Sequence, residues 1–153
     1  MTAALLSALH VLALGVGLGS VFMRGRFLRA LQAGPDPRLL DGLFRADNLW
    51  GVAAALWLFT GLTRAFGHVE KAPDFYQRNG FFWVKMILFV AVLALEIWPM
   101  VTFIRWRIAR RKGQPLPHFD RVARLRLVDD VETALVVAIP FVAAAMARGL
   151  WLF

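Results

Sequence analysis

Three ionisable side chains stand inside long apolar stretches of the sequence. His10 lies within 2–23, a stretch with no formally charged residue, and Lys85 and Glu96 lie within the apolar stretch 81–104. A charged side chain at the centre of a membrane helix costs about 2.5–3.5 kcal/mol on insertion scales, so such residues need partners or a function. An imidazole can bind a metal ion or carry a proton, and an ammonium group can bind an anionic ligand.

The spacing of these residues predicts where they meet. Lys85 and Glu96 are eleven residues apart, which on an α-helix places them within about 20° of the same face and about 16 Å apart. Both therefore point into a bundle along one stripe, too far apart to pair directly. His10 and Lys85 have similar depths, so opposed helices bring them to one pocket in the outer half of the bundle. For His10, a functional role and a simple hydrogen bond to a neighbouring carbonyl both stay open.

A second group of polar residues comes to a similar depth at the opposite end of the apolar stretches. It comprises Asp47, Asn48, Glu96, Asp129, Asp130 and Glu132. Four arginines, Arg24, Arg26, Arg45 and Arg126, lie close to this depth. We favour a buried or interfacial ion-pair network that pins the helix ends, and the alternative is a substrate or proton site built from carboxylates and arginines.

The composition indicates a membrane protein. Of the 153 residues, 59% are hydrophobic, and the mean hydropathy is +0.61, whereas soluble domains have about 45–50% apolar residues. The chain has no cysteine, which excludes disulfides, thiolate metal ligands and thiol catalysis. A phosphate-binding loop, a glycine-rich dinucleotide turn and a His-Glu-x-x-His zinc helix are also absent from the sequence.

Four apolar segments predict an all-α integral membrane protein. The predicted helices cover approximately 2–23, 48–66, 81–104 and 127–152, within a single domain 1–153. The first is about 33 Å long as a helix, enough to cross the hydrocarbon core. The second reaches a full span only if Arg64 snorkels outward. Four such segments with intervening connections favour an antiparallel four-helix bundle.

The distribution of basic residues predicts the orientation. Segment 24–47 carries five Lys or Arg residues and segment 105–126 carries eight, whereas 64–80 carries only Arg64, Lys71 and Arg78. By the positive-inside rule, 24–47 and 105–126 are cytoplasmic loops and both termini lie outside the cytoplasm. We therefore expect a multi-pass protein of the bacterial inner membrane, with the lipid bilayer as its partner.

The basic run 105–112 has two interpretations. It fits a topology signal that also contacts anionic lipid. The alternative is a nucleic-acid-binding patch, which we disfavour because a sequestered membrane loop rarely reads nucleic acid. No nucleic-acid partner is therefore expected.

Several stretches resemble an uncharacterised family of small four-span bacterial membrane proteins. They are 8–11, 43–51, 82–88, 96–101 and 126–133. The resemblance covers nearly the whole chain. It implies the four-span topology and the membrane location but no activity, because that family is known only as a domain of unknown function.

The order of three features is also similar to the HemJ-type protoporphyrinogen oxidases and the related CopD-like membrane domains. His10 follows Ala-Leu, as a first-helix histidine does in HemJ, and Lys85 matches a lysine early in a later helix. The stretch 126–133 matches a motif, Arg-hydrophobic-hydrophobic-Asn-Glu-Val-Pro-Thr, that opens the last helix. HemJ proteins are associated with haem b, so this resemblance implies a haem site.

The chain departs from the HemJ pattern at three places. Trp83 stands where HemJ has a histidine two residues before the lysine. Asp129 and Asp130 stand in place of the Asn-Glu pair, and Glu132 stands in place of the proline. These departures count against the oxidase activity more than against the shared architecture.

The first functional hypothesis is a membrane protein that binds haem b or another tetrapyrrole in a redox role. His10 would be an axial ligand of the haem iron, the only metal expected. Lys85 would be a second ligand or the partner of a propionate, and Arg24 or Arg126 would hold carboxylates of the ligand. Haem b is the only cofactor expected.

Two other hypotheses compete with haem binding. One is a subunit of a small proton-coupled transporter, supported by Lys85, Glu96 and the prolines Pro99 and Pro140 within apolar segments. Four spans are few for a transporter unless the chain forms a homo-oligomer. The other is a structural or assembly role in which the buried charges only order the bundle. Whether the protein is an enzyme stays open.

Overall fold

Four long helices make up most of the chain in the computed structural model, which describes residues 2–67, 75–76 and 78–151. They are α1 (Thr2–Leu31), α2 (Pro37–Phe66), α3 (Gly80–Arg111) and α4 (Val122–Ala147), with a 3-10 turn at Phe119–Arg121. No strand occurs in the described residues. The all-α prediction is confirmed. Lys71 and the last residue of the predicted helix 127–152 lie outside the described residues.

Each helix is long and apolar enough to cross a membrane. The four candidate spans have 29 to 32 residues. Large apolar side chains face outward from them: Phe59 and Ile87 are each 67% exposed and Phe141 is 72% exposed. An apolar exterior on membrane-length helices is the surface that lipid contacts. The protein is therefore a multi-pass membrane protein.

The helices extend farther into the predicted loops than the apolar stretches indicated. α1 runs to Leu31 and α3 to Arg111, so the connections 24–47 and 105–126 shrink to 32–36 and 112–121. The extensions stay helical because one face remains apolar and packs at the end of the bundle. Its buried residues are Leu28, Leu31, Leu40, Leu43, Phe103, Trp106, Val122 and Leu125.

Local signals fix where α2 and α3 begin. The Asp36 side chain accepts hydrogen bonds from the backbone N–H groups of Arg38 and Leu39, and Pro37 occupies the first helical position of α2. Asn79 accepts a hydrogen bond from the backbone N–H of Phe81 at the start of α3. Asp36 thus explains why α2 begins eleven residues before its uncharged stretch.

The helices pack in the order α2, α1, α4, α3 around the bundle. α1 contacts α2 and α4, and α3 contacts α4, whereas α2 and α3 have few close backbone contacts. At the end that carries the connections 32–36 and 112–121, here called the arginine-rich end, side chains bridge α2 and α3. Arg110 binds Asp41 at 2.5 Å and Arg107 binds Asp47 at 2.7 Å. At the other end, here called the terminal end, a cavity lies between α2 and α3.

Candidate functional site

The cavity between α2 and α3 has a volume of about 450 Å³. Its wall is mostly apolar but includes three basic side chains, His10 from α1, Arg64 from α2 and Lys85 from α3. Ligand pockets commonly have volumes of about 300–1,000 Å³ and apolar walls with a few convergent polar groups. The prediction that His10 and Lys85 share one pocket is confirmed.

A hydrogen bond from α2 orients the imidazole of His10. Its Nδ1 lies 2.8 Å from the Oγ1 of Thr60, and both groups are buried. The Thr60 hydroxyl is also 2.7 Å from the carbonyl oxygen of Leu56, which can only accept its proton. Because the hydroxyl has one proton, Thr60 Oγ1 accepts from His10 Nδ1–H. In the neutral imidazole the lone pair is then on Nε2.

Two neighbours confine the His10 ring. The Trp57 ring centroid lies 5.6 Å from that of His10, with an interplanar angle of 32°. A Cβ atom at Gly61 would lie 3.2 Å from His10 Cε1. The edge of the imidazole therefore occupies space that a glycine leaves open.

The cavity wall contains two hydrogen-bond donors without partners in the described part of the chain. The buried Nε1–H of Trp57 has no acceptor there. Lys85, which lines the cavity, forms no hydrogen bond or ion pair with another described residue. Unpaired donors in an apolar environment are costly, so this wall suits a ligand that brings acceptors or negative charge.

A second polar site surrounds Arg24 of α1, nearer the arginine-rich end. The Arg24 side chain is 0% exposed and binds four carboxylates from the other three helices. They are Asp47 on α2, Glu96 on α3, and Asp129 and Glu132 on α4. We call these five residues the Arg24 cluster.

Each of the three guanidinium nitrogen atoms of Arg24 binds at least one of these carboxylates. Both oxygens of Glu96 lie 2.9 Å from Nη1, and Asp129 Oδ1 lies 2.5 Å from Nε. Glu132 Oε2 binds Nη2, and Asp47 Oδ1 is 3.4 Å from Nη1. One side chain of α1 therefore connects all four helices.

Two further donors bind the Arg24 cluster from its edge. Trp50 Nε1 donates to Glu96 Oε2 at 3.0 Å, and Arg107 Nη2 donates to Asp47 Oδ2 at 2.7 Å. Two oxygens stay unsatisfied: Asp129 Oδ2 and Glu132 Oε1 are buried without a hydrogen-bond partner among the described residues. The cluster is thus incompletely neutralised by the side chains around it.

Of the six residues predicted for the polar network, the structure brings Asp47, Glu96, Asp129 and Glu132 together around Arg24. It leaves Asn48 and Asp130 exposed. Each follows a cluster member by one residue, and one residue turns a side chain by about 100° around a helix. Asp130 pairs with Arg126 at 3.2 Å on the surface.

Comparison with known proteins identifies the family. The model of a family described as a predicted membrane protein, DUF2214, matches residues 2–150. The chain belongs to the DUF2214 family. No curated protein and no solved structure matches it significantly. The resemblance to an uncharacterised membrane family is therefore confirmed, whereas these comparisons do not show the resemblance to HemJ-type or CopD-like proteins.

In this DUF2214 protein, the two arginines expected to hold a ligand's carboxylates do not line the cavity. Arg24 is enclosed by carboxylates and lies about 21 Å from His10 along α1, by the rise of a helix. Arg126 pairs with Asp130. Both arginines therefore bind acidic side chains of the protein itself. Neither arginine is placed to hold a ligand in this cavity, and a ligand-binding role for them elsewhere stays a prediction.

Sequence reasoning did not single out three residues around His10: Trp57, Thr60 and Arg64. They lie three and four residues apart on α2, together with Gly61, and therefore on one face of that helix. A polar and aromatic face in an apolar helix was the signal available. The sequence did not show that this face meets His10.

Proposed function

We propose that this protein binds haem b, or a related tetrapyrrole, in the cavity between α2 and α3, with His10 as an axial ligand. The proposal rests on one observation: a buried histidine, with Nδ1–H held by Thr60, in the wall of an apolar cavity of about 450 Å³. Metal-ligating histidines commonly donate the other ring N–H to a neighbouring acceptor, which fixes tautomer and orientation. His10 has this arrangement, with Nε2 as the ligating atom.

The rest of the cavity wall is complementary to both the apolar macrocycle of haem and its carboxylates. Leu14, Phe89 and Ile139 offer apolar contact to the macrocycle, and Lys85 offers a cation to its carboxylates. We assign Lys85 to a propionate, with the role of second axial ligand as the alternative. A bound haem would supply one-electron redox chemistry at its iron.

The test is the absorption spectrum of the protein purified in detergent after expression with ample haem supply. We expect a Soret band and a reduced-minus-oxidised signal from the wild type, and loss of both in His10→Ala. The matched control is His118→Ala, because His118 is exposed in the connection 112–121. A wild-type spectrum without a Soret band, or one that His10→Ala leaves unchanged, would overturn the proposal.

The competing roles predict different results. A purely structural role predicts that His10→Ala and Lys85→Ala leave every cellular phenotype intact. A proton-coupled transporter subunit predicts proton flux in proteoliposomes that Glu96→Gln changes.

We also propose that the protein lies in a bacterial inner membrane with its arginine-rich end in the cytoplasm. The support is the concentration of Lys and Arg in segments 24–47 and 105–126, which meet at that end of the bundle.

A further inference from the structure

The Arg24 cluster contains more acidic than basic groups. Its four carboxylates face two guanidiniums, those of Arg24 and Arg107. With every group ionised, the site would carry a formal excess of two negative charges. Asp129 and Glu132 are 1% and 0% exposed, so little solvent is available to stabilise that excess.

The two most buried carboxyl groups each have one oxygen that meets no donor. Asp129 Oδ1 and Glu132 Oε2 bind Arg24, whereas Asp129 Oδ2 and Glu132 Oε1 have no hydrogen-bond partner among the described residues. A buried ionised oxygen without a donor is costly. A protonated carboxyl group is neutral and becomes a donor itself.

The packing around one of these oxygens favours a proton over a metal ion. A Cβ atom at Gly25 would lie only 2.5 Å from Asp129 Oδ2, so this oxygen lies close to the backbone of α1. In the described part of the chain, no group of three or more His, Cys, Asp or Glu residues has an arrangement that could hold a metal ion.

We propose that the Arg24 cluster is a proton-binding site that holds at least one proton at neutral pH, on Glu132 Oε1 or Asp129 Oδ2. Binding of the proton removes one excess negative charge and leaves the hydrogen bonds to Arg24 in place. The charged groups that face this proton are Arg24 on α1, Asp47 on α2, Glu96 and Arg107 on α3, and the other carboxyl group of the pair on α4.

This site is independent of the proposed haem site. An apolar layer of Val21, Trp50, Val92 and Val136 packs next to the cluster on the side of the cavity. Binding of a proton at the cluster therefore does not require a ligand at His10, and either proposal can fail alone.

Infrared spectroscopy of the detergent-purified protein at neutral pH tests the proposal. The C=O stretch of a protonated carboxyl group is separate from carboxylate bands and shifts in D₂O. We expect this band in the wild type and its loss in either Glu132→Gln or Asp129→Asn. The matched control is Asp130→Asn, which neutralises the neighbouring exposed carboxylate and should leave the band unchanged.

Two results of the unlabelled experiment would overturn the proposal. One is a wild-type protein without a protonated-carboxyl band at neutral pH. The other is a band that persists in both Glu132→Gln and Asp129→Asn. If a variant does not fold, carbon-13 labelling of the Asp or the Glu carboxyl groups of the wild type assigns the band by its isotope shift. A band that shifts with neither label contradicts the proposal equally.

Discussion

The hydroxyl of Thr60 determines which nitrogen of His10 is available to a ligand. Thr60 Oγ1 bonds to the backbone of α2 and to His10 Nδ1 at once. The imidazole is thereby held in one tautomer and one orientation before any ligand binds. Loss of the hydrogen bond between a metal-ligating histidine and the residue that orients it typically lowers metal affinity about 10–100-fold.

We therefore predict that Thr60→Val weakens haem binding by roughly 10–100-fold. Valine keeps the shape of threonine but cannot accept the Nδ1–H bond. The measurement is the haem dissociation constant from absorbance titration in detergent. Thr63→Val is the matched control, because Thr63 does not line the cavity and its hydroxyl bonds to the carbonyl oxygen of Phe59 in the same way. Equal affinities for the two variants would contradict the role given to Thr60.

At the scale of the helices, Arg24 joins α1 to the other three through buried carboxylates. Replacement of one partner in a buried ion pair leaves uncompensated charge, which typically costs about 3–5 kcal/mol. The same side chain therefore limits how far the arginine-rich halves of the helices can separate.

Arg24→Met is expected to lower the free energy of unfolding by about 3–5 kcal/mol. The measurement is denaturant unfolding in detergent micelles, followed by tryptophan fluorescence. Arg26→Met is the control, because Arg26 is on the exposed side of α1 and surface changes usually alter stability by about 0.5 kcal/mol or less. If Arg26→Met cost as much as Arg24→Met, the Arg24 cluster would not be a stabilising junction.

The sequence was sufficient to predict the helices and the depth of their polar residues. Apolar length located four spans, and the eleven-residue spacing correctly separated Lys85 at the cavity from Glu96 at the cluster. The sequence was not sufficient to predict the helix ends. A charged residue such as Arg24 indicates the start of a loop unless its carboxylate partners are known. Those partners come from three other helices, and only tertiary packing brings them together.

The same limit applies within the candidate site. Asp47 and Asn48 are adjacent in sequence and equal in depth, yet only Asp47 faces the interior. The position of a residue along an apolar stretch gives its depth in the membrane. The direction in which its side chain points depends on how the helix is rotated against its neighbours, which the sequence of that helix does not specify. The contact between His10 and Thr60 depends on this rotation.

At the scale of the whole molecule, the bundle is closed at one end and holds a cavity at the other. At the arginine-rich end, Arg107 and Arg110 connect α3 to α2, whereas at the terminal end the two helices line the cavity. The proposed orientation places the closed end in the cytoplasm and the cavity in the outer half of the membrane.

Cysteine labelling tests this orientation without background, because the chain has no cysteine. Gln32→Cys and Gln114→Cys lie in the two connections of the arginine-rich end, and Arg148→Cys follows α4 at the terminal end. In intact bacteria whose outer membrane has been made permeable, we expect a membrane-impermeant maleimide to label only Arg148→Cys. Labelling of Gln32→Cys and Gln114→Cys but not Arg148→Cys would reverse the orientation.

The most direct test of the haem proposal is a titration of the purified apoprotein with haem b, followed at the Soret band. We predict saturation at one haem per chain for the wild type and no saturable binding for His10→Ala. A wild type that never saturates, or a His10→Ala variant that saturates at the same ratio and affinity, would contradict it.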